Sequence, residues 1–238
     1  MSSTPQAMCR FFGRPLRKGA AAMLEVGVVA VMVMLLSSAG SPARATTPPA
    51  AHQALEAAVH GSWRTPAFVQ RDKYRHPVQT LEFFGIRPDM RVVEVLPGGG
   101  WYTEILAPLL RDHGELIEAE APLAGTTGFA HQSAVRFRGK LASDPAVYGK
   151  VQLEPFVLPD YMHLGAPDSA DMVVTFRNMH DMMFENVHGM STDLILQEFL
   201  RSAYQVLKPG GVLGIEAHRA NPDMPLDQCF KLSRVPQP

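Results

Sequence analysis

The stretch Arg91–Ala107, RVVEVLPGGGWYTEILA, decides the fold. Val92 and Val93 form a short apolar run that leads into Glu94. Gly98, Gly99 and Gly100 follow, and a helical pattern then opens at Thr103 and continues to Leu110. Strand, glycine turn and helix in that order bring bare backbone N–H groups up to a nucleotide-like ligand. Glycine suits the turn because, without Cβ, it enters the left-handed region freely and lets a ligand lie against the main chain. Glu94, at the end of the strand, is placed to accept hydrogen bonds from a ligand amine or from neighbouring N–H groups.

The spacing discriminates between nucleotide turns. A dinucleotide fingerprint reads G-x-G-x-x-G, with an acid about 20 residues later. Here the glycines are consecutive and the third position is not glycine, so that pattern fails. A turn of the form acid-x-Gly-x-Gly-x-Gly fits better. Counted from Glu94, its second and third glycines are Gly98 and Gly100, while Leu96, followed by Pro97, stands at the first. That departure puts a side chain where the ligand would pass. A ligand-free βα turn is the plainer alternative, and the rest of the chain favours the nucleotide site.

Outward from this stretch, strand patterns alternate with helical ones. Pro77 opens a short helix with Val78, Leu81 and Phe84 on one face and Gly85 as its stop. Strands are expected at Arg91–Val95, Glu115–Glu120, Val151–Val157, Ala170–Phe176 and Val212–Ala217. Helices are expected at Thr103–Leu110, in the centre of Thr126–Gly139 and, most clearly, at Thr192–Leu207, which Lys208-Pro209-Gly210-Gly211 stops. Leu55–Val59 reads as a further short helix, and Ser62–Tyr74 as irregular. The alternation predicts an α/β fold, a doubly wound, mostly parallel sheet with helices on both faces. In such sheets the ligand lies beyond the carboxyl ends of the strands. Glu94, the glycines, Glu120 and Arg177–His180 all fall there.

The N-terminus reads as a secretory signal peptide over residues 1–45. Arg10, Arg14, Arg17 and Lys18 form a basic region, Val26–Leu36 is apolar, and Ala43-Arg44-Ala45 is a cleavage pattern. The apolar run is shorter than the roughly 20 residues of a membrane span. The expected protein is therefore secreted or periplasmic, with contact to the membrane only through this leader. Residues 46–70 follow as a linker and N-terminal segment, 71–220 as the main domain and 221–238 as a short tail. Five of the 22 Lys and Arg and one of the 23 Asp and Glu precede Thr46, which leaves residues 46–238 a net charge of about −5. That balance argues against nucleic acid as a partner. Of two cysteines only Cys229 lies beyond the leader, so no internal disulfide is expected.

Four segments together carry a resemblance: RDKYRHP (Arg71–Pro77), EVLPGGGWYTEILAP (Glu94–Pro108), TFRNMH (Thr175–His180) and LKPGGVLGIEAHRA (Leu207–Ala220). The chain resembles class I S-adenosylmethionine-dependent methyltransferases, which share a Rossmann-like fold, and within them a family of secreted predicted methyltransferases. The resemblance implies S-adenosylmethionine as cofactor. It implies that Glu94, Gly98, Gly99 and Gly100 line its methionine and ribose, and that Glu120 takes the ribose hydroxyls, with Glu118 as competitor. Trp101 and Tyr102 would stack on the adenine or the substrate, packing at a helix start being the ordinary alternative. Such folds normally continue with a helix and two antiparallel strands. The 18 residues after Ala220, with four prolines, are too short for these, so the last strands are expected to be missing and the fifth strand to be an edge.

For chemistry, His180 is the candidate general base, with Asn178 to orient it and Arg177 to hold an anionic group. Helix capping by His180 and Asn178 is the alternative. His180, Asp181, Glu185 and His188 carry metal-ligating side chains, but the spacing matches no metal motif and a polar loop is preferred. Arg71, Asp72, Tyr74, Arg75 and His76 would form a lid or, equally, a solvated ion-paired segment. Met179, Met182, Met183 and Met190 read as core filler or the lining of an apolar pocket. The expected function is methyl transfer to a small molecule. The alternatives are a non-catalytic S-adenosylmethionine- or nucleoside-binding protein and, disfavoured by the glycines, a nicotinamide oxidoreductase.

Overall fold

Apolar runs separated by helical patterns fold here as crossover units. The computed structural model describes residues 49–183 and 192–235; the signal-peptide reading of residues 1–45 and the candidates Glu185, His188 and Met190 lie outside them. In chain order the elements are α1 (Pro49–Val59), the one-turn helices α2 (Pro66–Val69) and α3 (Asp72–Arg75), α4 (Pro77–Phe84), β1 (Arg91–Val95), α5 (Thr103–Leu110), β2 (Glu115–Glu120), α6 (Gly128–Ser143), α7 (Pro145–Tyr148), β3 (Gln152–Pro155), β4 (Ala170–Phe176), a 3-10 turn (Asp181–Met183), α8 (Thr192–Val206), β5 (Leu207–Glu216) and α9 (Leu226–Lys231).

The five strands form one parallel sheet in the order β3-β2-β1-β4-β5. The chain winds outward from β1 through β2 to β3, then crosses back to β4 beside β1. The topological switch point is therefore the crevice between the carboxyl ends of β1 and β4. Alternation along the strands divides the core. Val92, Leu116, Met172, Val174 and Phe176 face one layer, which holds Leu55, Leu81, Ile105, Leu106 and Leu110. Val93, Val95, Ile117, Ala119 and Val173 face the other, with Ile195, Phe199, Ala203 and Val206 of α8. This is the doubly wound arrangement expected.

Local chemistry explains several boundaries. Pro77 stands at the first turn of α4, and Gly85 ends it in the left-handed conformation (φ 79°). The Ile86 N–H donates to Leu81 O at 3.0 Å and the Gly85 N–H to Glu82 O at 2.9 Å, closing a Schellman motif with buried Ile86 against buried Leu81. Other elements differ from expectation. Helix α1 starts six residues earlier than Leu55, because Ala51 and Leu55 continue its buried face. The 62–74 segment holds α2 and α3 rather than irregular chain. Strand β5 begins at Leu207, which pairs with Ala170; Met172 then pairs with Val212, so Lys208–Gly211 bulges out of the strand instead of preceding it. Asp171 pins both sides, accepting from the Arg91 N–H at 2.8 Å and from Lys208 Nζ at 2.8 Å. Within the described residues β5 is an edge, and the tail adds α9 and a bridge between Arg219 and Val235. Among the described residues no helix is long and apolar enough to cross a membrane.

The segment before β1 is fastened to α5 by buried charge. The Glu104 side chain, in the first turn of α5, is completely buried. It accepts from the Thr65 N–H at 2.9 Å, from the Thr65 hydroxyl and from Lys140 Nζ of α6, with Arg64 Nε 3.5 Å away. Arg64 in turn forks onto Asp72 at 2.9 and 3.0 Å and donates to Val59 O. Trp63 Nε1 donates to Glu104 O and Trp101 Nε1 to Phe68 O. The RDKYRHP segment is thus tied down at Asp72, while Tyr74 and His76 remain exposed. Replacing Glu104 by Ala takes the carboxylate from Lys140 and leaves buried Arg64 with Asp72 alone. The expected loss is about 3–5 kcal/mol, read from equilibrium denaturation; Asp72→Ala, with its partly exposed carboxylate, should lose less.

Candidate functional site

The three glycines have three different jobs. Gly98 (φ 59°) faces open space: a Cβ there would meet nothing within 4 Å. Gly99 is exposed, and a Cβ would touch only the Phe68 ring at 3.6 Å. Gly100 (φ 77°) has no room for a ligand, since a Cβ would strike Lys140 at 2.9 Å and Phe137 at 3.2 Å. Its role is to let α6 approach the turn, a correction to the expected ligand contact. Leu96, at the position of the first glycine, takes the left-handed conformation that glycine would have taken (φ 57°). Its side chain is partly buried against the core cluster that holds Val95 and Phe156.

Trp101 and Tyr102 are also corrected. Both are buried. Trp101 carries the guanidinium groups of Arg75 and Arg64 over its ring, at 4.5 and 5.0 Å. Tyr102 stacks on Phe176 at 3.4 Å and donates its hydroxyl to Glu216 at 2.7 Å. Their ring faces are taken by protein groups, so neither is offered to an adenine.

Strand register creates a row of buried acids. Glu94 on β1 lies beside Glu118 on β2, and one residue of β2, Ala119, separates Glu118 from Glu120 on the same face. All three are buried. Thr103 Oγ1 donates to Glu94 at 3.0 Å. Neither oxygen of Glu118 has a donor of its own. Burial pushes the Glu94 carboxyl up to about 7, against the opposing effect of hydrogen bonds from Glu118 and Thr103. Burial, and then the neighbouring Glu94 charge, drive Glu118 well above the carboxylate range. Glu118 is thus the protonated partner and Glu94 the acceptor of a carboxyl–carboxylate pair. Burial also raises Glu120 to about 7, opposed by the Ala121 N–H and Arg138.

A second group gathers past β4 and β5. Arg177 follows β4 in the left-handed region (φ 64°), its N–H on Glu216 O at 2.6 Å and its Nη2 against His218 Nε2. Burial, then the charges of Arg177 and Arg234, hold His218 below the usual histidine range. His180 Nε2 lies 3.3 Å from Asp181 Oδ1, and burial raises Asp181. Asn178 bonds to the β1 end through its amide nitrogen. Its Nδ2 donates to Leu96 O at 2.8 Å and to Val95 O and Thr175 Oγ1 at 3.2 Å each, so it holds the start of the glycine turn onto β4. Met182 is buried in the α8 layer with Met179 packed against it, which is core filling. The proton-sharing role of Glu118, and Glu216 and His218 as site neighbours, were missed in the sequence, while Arg75 was read only as part of a lid or a solvated ion-paired segment. For Glu118 the signal was the alternation E-A-E, which puts two acids on the face of Glu94. A cavity of about 630 Å³, lined by Ala54, Trp63 and Pro108 among others, lies at the opposite end of the sheet, beside Arg87–Asp89 and His113.

No family model matches the chain. It is 30% identical over 134 residues to the ubiquinone/menaquinone biosynthesis C-methyltransferase of Ectopseudomonas mendocina (strain ymp), a match that covers 56% of this chain and 44% of that protein. The chain thus spans less than half the length of that curated relative. Among solved structures, a SAM dependent methyltransferase from Aquifex aeolicus is similar with a TM-score of 0.49 at 15% identity, over 73% of this chain and 77% of that one. A precorrin-6y C5,15-methyltransferase from Geobacter metallireducens GS-15 is similar with a TM-score of 0.44 at 18% identity, over 71% of each chain.

The acids predict an inverted pH dependence of stability. Glu94 and Glu120 titrate near 7 when folded and near the ordinary 4.5 when unfolded. The folded chain therefore holds protons that the unfolded chain has released, and the stability they contribute, full below about pH 4.5, is lost as pH rises through 7. The ligand-free protein should lose roughly 5–10 °C of thermal midpoint between pH 5 and pH 8. Glu118→Gln, whose amide donates to Glu94 at every pH, should flatten that slope. A midpoint that rises over this interval would contradict the shared proton.

Proposed function

We propose that this chain is an S-adenosylmethionine-dependent methyltransferase acting on a small molecule, exported by its N-terminal segment. The observation that carries the reading is the turn at the β1–β4 switch point: Gly98 opens on empty space, Leu96 reproduces a glycine conformation, and the acid pair of Glu94 and Glu118 lies directly beneath. The likeness to a C-methyltransferase over 134 residues supports it.

The residues suit the cofactor chemically. S-adenosylmethionine supplies an electrophilic methyl group on a sulfonium, together with an ammonium group and two ribose hydroxyls. The chain answers with three buried carboxyl groups, Glu94, Glu118 and Glu120 at the end of β2, of which Glu118 has no donor to its oxygens. Negative charge at Glu94 favours a cationic ligand over its neutral demethylated product. Asn178 holds the turn to β4 and so fixes the acids relative to the β4 end, where His180 is the candidate base. Positioning of the acceptor against the methyl group supplies much of the rate in such transfers.

Calorimetric titration of residues 46–238 with S-adenosylmethionine tests the reading. Glu94→Ala and Gly98→Val should each weaken binding at least about tenfold, the equivalent of 1.4 kcal/mol. No binding by the folded protein would refute the cofactor. Binding without turnover on any acceptor would favour the non-catalytic alternative. Once an acceptor is known, His180→Ala should lower kcat by on the order of 10²–10⁴-fold and leave cofactor affinity unchanged.

A further inference from the structure

Among the described residues the guanidinium groups beyond β4 and β5 have no ion-pair partner. Arg75, at the end of α3, lies over the Trp101 ring at 4.5 Å, and its Nε is buried with no hydrogen-bond partner. Arg177 meets His218, not a carboxylate. Among the described residues neither arginine forms an ion pair. The acid beside them, Glu216, is taken by the Tyr102 hydroxyl at 2.7 Å, and Asp72 by Arg64. Arg71 adds a third positive charge: burial, then Arg71 and Arg177, disfavour the charged form of Arg75. Half-buried cations that repel one another are costly unless an anion joins them. Cation–π contact with Trp101 holds Arg75 in place without consuming its N–H donors, and guanidinium forks match the paired oxygens of a carboxylate or phosphate.

We propose that Arg75 and Arg177, with His218 beside them, bind the oxyanion group of a small molecule, and that this molecule is the methyl acceptor. The second clause rests on the methyltransferase reading; the first does not. Acceptor binding here places the anionic end past β4 and β5, at the carboxyl ends of the strands. The oxyanion is a carboxylate or a phosphate, and the cofactor's own carboxylate is the competing source.

The test titrates the full mature chain with inorganic phosphate and with acetate, each with and without saturating S-adenosylmethionine. Saturable binding is expected for at least one anion, weakened at least tenfold by Arg75→Gln and by Arg177→Gln but not by Arg201→Gln on exposed α8. The anion bound more tightly names the group. Thermal midpoints of the variants verify that they are folded, and a folded double variant, Arg75→Gln/Arg177→Gln, should lose binding altogether. Equal binding by wild type and the double variant would overturn the site. Displacement of the anion by S-adenosylmethionine would assign the arginines to the cofactor and overturn the acceptor. Anion binding through both arginines by a protein that does not bind S-adenosylmethionine would uphold the oxyanion site and sink the methyltransferase reading alone.

Discussion

Burial of Glu104 without solvent is the constraint on which the geometry around the glycine turn depends. A carboxylate so placed is tolerable only if every lone pair is met, and it is met from two separate pieces of chain: Thr65 and Arg64 before β1, and Lys140 from α6. Because Glu104 sits in the first turn of α5, those partners converge on the N-terminal end of that helix, where negative charge is also favoured by the helix dipole. Gly100 completes the arrangement, since any side chain there would displace Lys140. The ion network and the third glycine are two aspects of one packing decision. Removing either would free the segment that carries Arg75 over Trp101.

The acids beneath the turn follow from a different constraint, the two-residue period of a strand. Once Val92 and Leu116 are committed to the α5 layer, Glu94, Glu118 and Glu120 must point the same way. The face that buries the core also buries three carboxyl groups, and two of them meet side by side. Proton sharing limits the cost but does not remove it, because Glu118 keeps oxygens with no donor. A fold selected for stability alone would have apolar residues there. Retained strain and orphaned polar atoms at the switch point of a parallel sheet are the marks of a ligand site.

Much of this was legible in the sequence. The strand–glycine–helix order, four of the five strands to within a residue at the start, and α4 with its proline start and glycine stop could be read because each depends on local chemistry. The places of Glu94 at the strand end and Gly98 in the turn were readable for the same reason. The roles of Gly100, Trp101, Tyr102 and Asn178 were not, because each depends on a partner far along the chain: Lys140 and Phe137 for Gly100, Phe68 for Trp101, Glu216 for Tyr102, and the Val95 and Leu96 carbonyls for Asn178. An aromatic after a glycine turn looks the same in sequence whether it meets a ligand or a distant strand. The start of β5 was obscured by Lys208–Gly211, whose turn composition hides the fact that Leu207 already pairs with β4.

Tyr102 connects the two halves of the site. It leaves the glycine turn, stacks on Phe176 at the end of β4 and spends its hydroxyl on Glu216 at the end of β5. Burial and the Glu216 charge both keep that phenol protonated, so it donates at any pH the fold survives. The consequence is electrostatic as well as mechanical. A Glu216 engaged by a neutral donor still carries its charge, but its oxygens are drawn toward the turn and away from Arg75 and Arg177. Phenylalanine in place of Tyr102 would keep the stack and release Glu216 to pair with those arginines, cancelling part of the positive field. The tyrosine therefore separates a cluster of buried acids on β1 and β2 from a basic cluster past β4 and β5, and a ligand meeting both would need a cationic end and an anionic one.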